Sequence, residues 1–519
     1  MREACTMEQF LQRHQDHITG VLEGFDRLLF RGTLLSISYV EGMGRFLGAL
    51  KVMYKDFKTW AMGLSGQIVA HAKEAAKHAG RPYEYLASSQ MRKELRAREI
   101  AERDQISQGM VCVFGCVEPC QILTVRGNRA KRLLRLVKEL RQCLHIYFYY
   151  MDREFGLMHV RLQSWLPFGI QVCLNGRDYL AQRMTRAGIG FEQHDNCFTR
   201  IDDLPAAQKM MRELEKKNWP RVLDAFARRI NPHLGKRSPL NFYGYYWSIR
   251  ASEYATDVMF KNDAQLAAIY PSLVDHAMKH FSSQDVLRFL GRRTNARFNG
   301  EISSDIQSRK EGMRIKHRVE ENSIKMYDKQ GSVLRIETTI NNVARLRVYR
   351  QVRRKGRLIM QWVEMRKGVV DLTRRVDVCR AANGRYLQAL GVVGEPSPTR
   401  FLFDPVSKPV TRDQRPYRAL RPVSPQDAEL FKAVLQGQFL LSGFTNRDLR
   451  QALYATTVSD PKQSKRQSAR ITRLVRLLRA HHLVHKVART RYYRVSDQGQ
   501  RVMTAALRVR DADVARLAA

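Results

Sequence analysis

Four carboxylates lie within one strongly basic stretch of the chain: Glu301, Asp305, Asp328 and Glu337, with His317 between the two pairs. Oxygen ligands of this kind hold a hard divalent cation. A bound Mg2+ would then support hydrolysis or transfer at a phosphodiester. On this reading Glu301 and Asp305 are candidate metal ligands, Asp328 and Glu337 candidate catalytic groups, and Mg2+ the cofactor. The competing reading is structural. Asp328 and Glu337 would then pair with Lys325, Lys329 or Arg335 across a hairpin.

The cations around these carboxylates point to a polyanion. Residues 291–375 contain 22 Lys or Arg against nine Asp or Glu. The candidate phosphate-binding residues there are Arg314, Lys316, Arg318, Lys325, Lys329, Arg353, Arg354 and Lys355. A second cluster runs from Pro461 to Val495, with eleven Lys or Arg and no Asp or Glu. Ile471, Leu474, Val475 and Leu478 recur there at helical spacing, and Arg466, Arg470, Arg473 and Arg476 fall on the opposite side. Leu483–Val487 and Arg491–Val495 then alternate like two short strands. Helices are expected upstream over Pro425–Gln436 and over Thr445–Leu453, where Thr445 and Asp448 have capping-box spacing. This is the sequence pattern of a winged helix-turn-helix. Lys465, Arg466, Arg470 and Arg473, with Gln463, Ser464 and Gln467, would face a groove, while Lys486, Arg489, Arg491 and Arg494 would meet phosphates. The alternative use of such a module is protein contact or dimerisation.

One segment carries a family resemblance. Lys325, Tyr327 and Lys329 form a K-x-Y-x-K strand, and Leu334, Arg335 and Glu337 an L-R-x-E strand behind it. The segment resembles rolling-circle replication initiators of the filamentous-phage gene II kind, over roughly 30 residues of 519. The resemblance implies a nuclease that cuts one strand with a tyrosine, here Tyr327, and a divalent metal. The His-hydrophobe-His pair of the wider family does not occur in this chain.

Several other groups have two readings. Asp26, Arg27 and Arg31 either touch a substrate or form a local ion pair. Tyr147, Tyr149, His159, Arg161 and Gln163 alternate on two expected strands, as a base-stacking platform or as a packing face. The aromatic run Phe242–Trp247 either stacks bases or anchors a core. Cys112, Cys116 and Cys120 are evenly spaced, as a metal or redox cluster or as buried thiols on one strand face.

These groups need elements to hold them. At 519 residues the chain is too long for one core. Strands are expected at Met313–Val319, Ile324–Lys329 and Val333–Ile340, and a further hairpin at Leu346–Gln351 and Leu358–Val363. Met7–Glu23, Arg129–Arg141 and Ser248–Phe260 read as helices. The fold class expected is α+β multidomain: a mixed helical and β-sheet body with a C-terminal winged-helix domain. Composition suggests six segments: 1–108 helical, 109–205 small α/β, 206–290 helical, 291–375 basic and β-rich, 376–424 a helix plus a Pro-rich linker, and 425–519 the winged helix.

The formal net charge of +40 attracts polyanions and steers their encounter. No run of about 18 apolar residues exists, and Met1-Arg2-Glu3 opens no signal peptide. A cytoplasmic protein is expected, with DNA and/or structured RNA as partner rather than a membrane. No G-x-x-x-x-G-K-[ST], G-x-S-x-G or H-E-x-x-H motif occurs. The function expected is a nucleic-acid-binding protein of bacterial mobile-element or replication type, with metal-dependent nuclease or strand-transferase activity. The alternative is a non-catalytic component of a ribonucleoprotein, or a transcriptional regulator.

Overall fold

Long antiparallel strands dominate the first half of the chain, where helices and strands were expected to alternate. The computed structural model describes residues 8–128, 133–235, 240, 242, 244–292, 300–309, 312–354, 356–391, 399–436, 439, 443–454, 460–488 and 490–512. The chain is mixed α and β, and it divides into two units. The central unit comprises Gly20–Met259 and Glu337–Arg380, and the carboxy-terminal unit Met1–Thr19, Phe260–Ile336 and Ala381–Ala519.

The strands, in chain order, begin with β1 (Ile18–Thr33), β2 (Tyr83–Leu86), β3 (Gly109–Asn128), β4 (Leu133–Asp152), β5 (Gly156–Gln163) and β6 (Ile170–Asn175). A small pair, β7 (Phe191–His194) and β8 (Cys197–Ile201), precedes β9 (Tyr246–Phe260). In the central unit the order is β9-β1-β6-β5-β4-β3-β2. β1–β6, β6–β5, β5–β4 and β4–β3 are antiparallel, and β2 joins β3 in parallel. One face of this sheet packs Phe30, Phe148, Val160 and Val172 against the helices Phe57–His78, Leu204–Glu215 and Trp219–Ile230. The helix Lys93–Arg103 covers the far end of the other face, over Cys112, Cys116, Tyr147 and Tyr149.

Three expected helices are strands instead. Among the described residues of the stretch expected as Met7–Glu23, only Glu8–Arg13 is helical before β1 begins at Ile18. The stretch expected as a helix at 129–141 is β4 from Leu133 onward, and Ser248–Phe260 lies in β9. Local apolar spacing favoured helix at each site. Strand pairing overrides it: β4 pairs with β3 from Asn128↔Leu133 to Gly109↔Met151, with one register shift between Met110 and Cys112.

β10 (Ile302–Arg309), β11 (Gly312–Val319) and β12 (Asn322–Lys329) of the carboxy-terminal unit and β13 (Val333–Ile340), whose residues from Glu337 on belong to the central unit, are hydrogen-bonded in sequence order. The β12–β13 turn places Gln330 and Gly331 at φ of 52° and 73°, the left-handed region where glycine costs least. β14 (Arg347–Arg354) and β15 (Arg357–Glu364) form the second expected hairpin, in the central unit.

Each element expected from Pro425 onward is present. The helices are Pro425–Val434, Asn446–Leu453 and Pro461–Ala480. After a short pair, β16 (Val410–Arg412) and β17 (Arg415–Tyr417), come the hairpin strands β18 (Val484–Lys486) and β19 (Tyr493–Val495), and a closing helix Asp497–Asp511. Phe431, Leu449, Ile471, Val475, Leu478 and Met503 share their core. A Cβ at Gly443 would lie 2.5 Å from the carbonyl of Tyr493, so glycine is required where this chain passes β19. The Pro-rich stretch is more than a tether. Leu402, Val406 and Leu420 enter the same core, and Arg418 pairs with Asp427 at 2.5 Å. Apolar residues at intervals among the prolines are what anchor it.

Thr445 and Asp448 form the expected capping box. Thr445→Ala should therefore cost about 1 kcal/mol. Amide hydrogen exchange within Asn446–Leu453 should accelerate about fivefold, with exchange in β1–β6 unchanged.

Candidate nucleic-acid interface

Alternation along β11 separates two chemistries. Ile315, His317 and Val319 are fully buried. Arg314, Lys316 and Arg318 take the other face. Register extends that face across the neighbours: Arg314 lies opposite Gln307 and Tyr327, Lys316 opposite Asp305 and Lys325, and Arg318 opposite Ser303 and Ser323. Four cations and one tyrosine therefore share a face of three strands. Lys316 registers the crowding. Its pKa is pushed below the ordinary lysine value by partial burial, then by Arg318, Lys325 and Arg314. Lys329, buried, lies over the Tyr327 ring at 5.7 Å.

The opposite face is a core. His317 accepts or donates to Tyr386 Oη at 3.1 Å and Ser304 Oγ at 2.7 Å, with the Phe281 ring tilted against it at 5.9 Å. Burial holds its pKa down to about 4. It is a packed histidine.

The carboxylates behave differently from the metal-site expectation. Asp305 lies on the cationic face, 3.5 Å from Arg314. Glu301 is exposed just ahead of β10. Asp328 is half-buried, and desolvation raises its pKa. Glu337, in the central unit, is 2% exposed, with Thr339 Oγ1 3.5 Å from its Oε1. Among the described residues, no group of three or more His, Cys, Asp or Glu could hold a metal ion.

The long helix presents its cations to solvent. Lys465, Arg466, Arg470 and Arg473 are exposed, while Ile471, Val475 and Leu478 are buried. Asp460 caps the first turn by accepting from the backbone N–H of Lys462 and Gln463. The helix is locked to Asn446–Leu453 through Asn446 Nδ2 to Thr472 Oγ1 at 2.8 Å and Arg450 Nη1 to Ser464 Oγ at 2.9 Å. Ser464 thus holds the helix pair. On the hairpin, Lys486 and Arg491 are exposed and Arg494 is half-buried; Arg489 lies outside the described residues.

On β14 and β15, Arg353 and Arg354 are exposed, and Lys355 lies outside the described residues. The sequence reading missed their companions. Tyr349 and Trp362 stand opposite each other, ring centroids 5.6 Å apart, at 52% and 41% exposure. Their positions at matching distances from the Arg353–Gly356 turn are the signal that would have found them.

The tyrosine, aromatic-run and cysteine readings resolve toward packing. Tyr147 and Tyr149 are buried under the helix Lys93–Arg103, and Tyr147 Oη donates to Glu118 at 2.8 Å. Gln163 is buried on backbone carbonyls. Phe242, Tyr245 and Trp247 are core residues, as are Cys112 and Cys116. Asp26 accepts from Asn196 Nδ2 at 2.7 Å, and Arg27 Nε donates to Cys173 Sγ at 3.4 Å.

Comparison of the chain with family models, with curated proteins and with solved structures returns no match. Among the described residues, no helix is long and apolar enough to cross a membrane.

Proposed function

We propose that this chain binds nucleic acid through its carboxy-terminal unit. The observation that carries the reading is the alternation of β11, which gathers Arg314, Lys316 and Arg318 on one face beside Lys325. Such a face meets a phosphate backbone without reading sequence. The helices and hairpin from Pro425 onward act as a winged helix-turn-helix, with Arg466 and Arg470 toward a major groove and Lys486 and Arg491 on phosphates. DNA and structured RNA both offer the required charge.

The test is anisotropy of labelled duplex DNA, single-stranded DNA and duplex RNA across a salt series. Arg318→Gln should weaken the preferred ligand about tenfold near 0.1 M salt and lower the log–log salt slope by about 1. Unchanged affinity and slope would sink the reading.

A second reading is strand cutting of the replication-initiator kind, favoured by one observation: Tyr327 stands on the cationic face, opposite Arg314. Its hydroxyl would attack a phosphodiester, form a phosphotyrosyl bond and release the leaving strand's hydroxyl. Incubation of the same labelled strands with and without Mg2+ should then yield a covalent adduct that Tyr327→Phe abolishes. Intact strands under both conditions leave the binding reading standing alone.

A further inference from the structure

In the central unit, the sheet face away from Phe30, Val160 and Val172 carries three exposed arginines: Arg27 and Arg31 on β1, and Arg250 on β9. Among the described residues, none of the three takes part in an ion pair, and Arg27 donates only to the Cys173 sulfur. Register joins them to neighbouring strands. Cys173 lies opposite both Leu29 and His159, and in the next row Gln171 lies opposite both Arg31 and Arg161. Arg27, opposite Asn175, and Arg31 stand two such rows apart, about 14 Å between Cα atoms, so their long side chains reach toward the row between them. Burial, then the charges of Arg250 and Arg161, push the pKa of Arg31 below its ordinary value. A guanidinium does not give up its proton at neutral pH, so the repulsion between Arg31, Arg250 and Arg161 persists until an anion arrives, while Arg27 is held up by Cys173, Glu94 and Glu253.

A cavity of about 150 Å³ opens on the same face, with Arg27, His159 and the carboxylates of Asp26, Glu94, Asp195 and Glu253 in its wall. His159 touches the rings of Tyr147 and Tyr149 but makes no hydrogen bond among the described residues. The face is therefore asymmetric. Guanidinium forks suit the oxygens of a phosphate. Carboxylates beside an imidazole suit the hydroxyl or amino donors of a sugar or base.

We propose that this face is a nucleotide site: Arg27, Arg31 and Arg250 hold a phosphate monoester, and the cavity walled by Asp26, His159 and Glu253 takes the attached sugar or base. The ligand is either a free nucleotide or the phosphorylated end of a strand. The site is built from central-unit residues only, so it stands or falls separately from the binding surface on β10–β12.

The experiment is titration calorimetry of the full chain with AMP, GMP, CMP and UMP, and with a tetranucleotide carrying or lacking a 5′-phosphate. The variants are Arg31→Ala/Arg250→Ala, both at exposed positions, and Arg318→Gln. Tryptophan-detected melting confirms that the double variant is folded. At least one phosphorylated probe should bind more tightly than about 1 mM. The double variant should weaken it at least tenfold, and Arg318→Gln should leave it unchanged. Tighter binding of the phosphorylated tetranucleotide than of any monophosphate identifies a strand end; the reverse identifies a free nucleotide. Absence of binding by every phosphorylated probe, or equal binding by the folded double variant, overturns the proposal.

Discussion

Asp257→Asn should destabilise the central unit by about 3–5 kcal/mol, the expected cost of stranding a buried charge. Arg177 and Asp257 form an ion pair at 2.8 Å, with side chains 0% and 1% exposed. The geometry is imposed by the start of the helix Gly176–Arg186. Asn175 caps it by accepting from the backbone N–H of Arg177 and Asp178. A Cβ at Gly176 would fall 1.9 Å from the Phe25 carbonyl, so only glycine allows the helix to start against β1. Arg177 is thereby committed to the interior. Asparagine preserves shape at 257 while removing the charge that offsets the guanidinium. The readout is specific, because all five tryptophans (Trp60, Trp165, Trp219, Trp247 and Trp362) belong to the central unit. Urea unfolding followed by tryptophan fluorescence should move to a lower midpoint. Arg177→Met/Asp257→Leu should recover most of the loss, since replacing both charges removes the desolvation cost as well. A loss under about 1 kcal/mol in Asp257→Asn would contradict the assignment.

Acid should loosen the carboxy-terminal unit well before carboxylate titration is complete. Burial lowers the pKa of His276 to about 3 and of His317 to about 4, from 6.5. His276 Nδ1 also faces Arg508 Nη2 at 3.0 Å, and Lys279 and His280 lie on its own helix. Below pH 6.5 the unfolded imidazoles carry protons and the folded ones do not. The unfolded chain then binds more protons, so stability falls as pH falls from 6.5 toward 4. Two such groups give a slope of about 2.7 kcal/mol per pH unit. Asp328 works against them, because its raised pKa lets the folded state take a proton first. Hydrogen exchange in β11 and in the helix Asp263–His280 should therefore accelerate steeply across this window. His276→Phe should roughly halve the slope. A flat profile from pH 6.5 to 4.5 would show that these imidazoles are charged in the folded chain.

Local chemistry was legible in the sequence wherever its determinants were local. The Gln330-Gly331 turn, the Thr445 capping box and the alternation of Arg314, Lys316 and Arg318 each depend on residues a few positions apart. The strand β4 was not legible, because Leu133, Leu136, Val137 and Leu140 have helical spacing and only β3 overrides it. Nor was the arginine face of the central unit. Leu29, His159 and Cys173 become neighbours through the register of β1, β5 and β6, which no short window contains. Arg27 and Arg31 were read with Asp26 either as touching a substrate or as forming a local ion pair; the carboxylate of Asp26 turns to Asn196 instead of pairing with them.

The packing of Leu402, Val406 and Leu420 beneath the C-terminal helices has a geometric consequence. A flexible tether would let two binding surfaces sample many separations, with effective concentration set by chain statistics. Here the segment before Pro425 is fixed to the core of the helices it introduces. Freedom is removed on one side of the connection, so the helix Pro461–Ala480 is presented at a defined angle to the chain that leads into it.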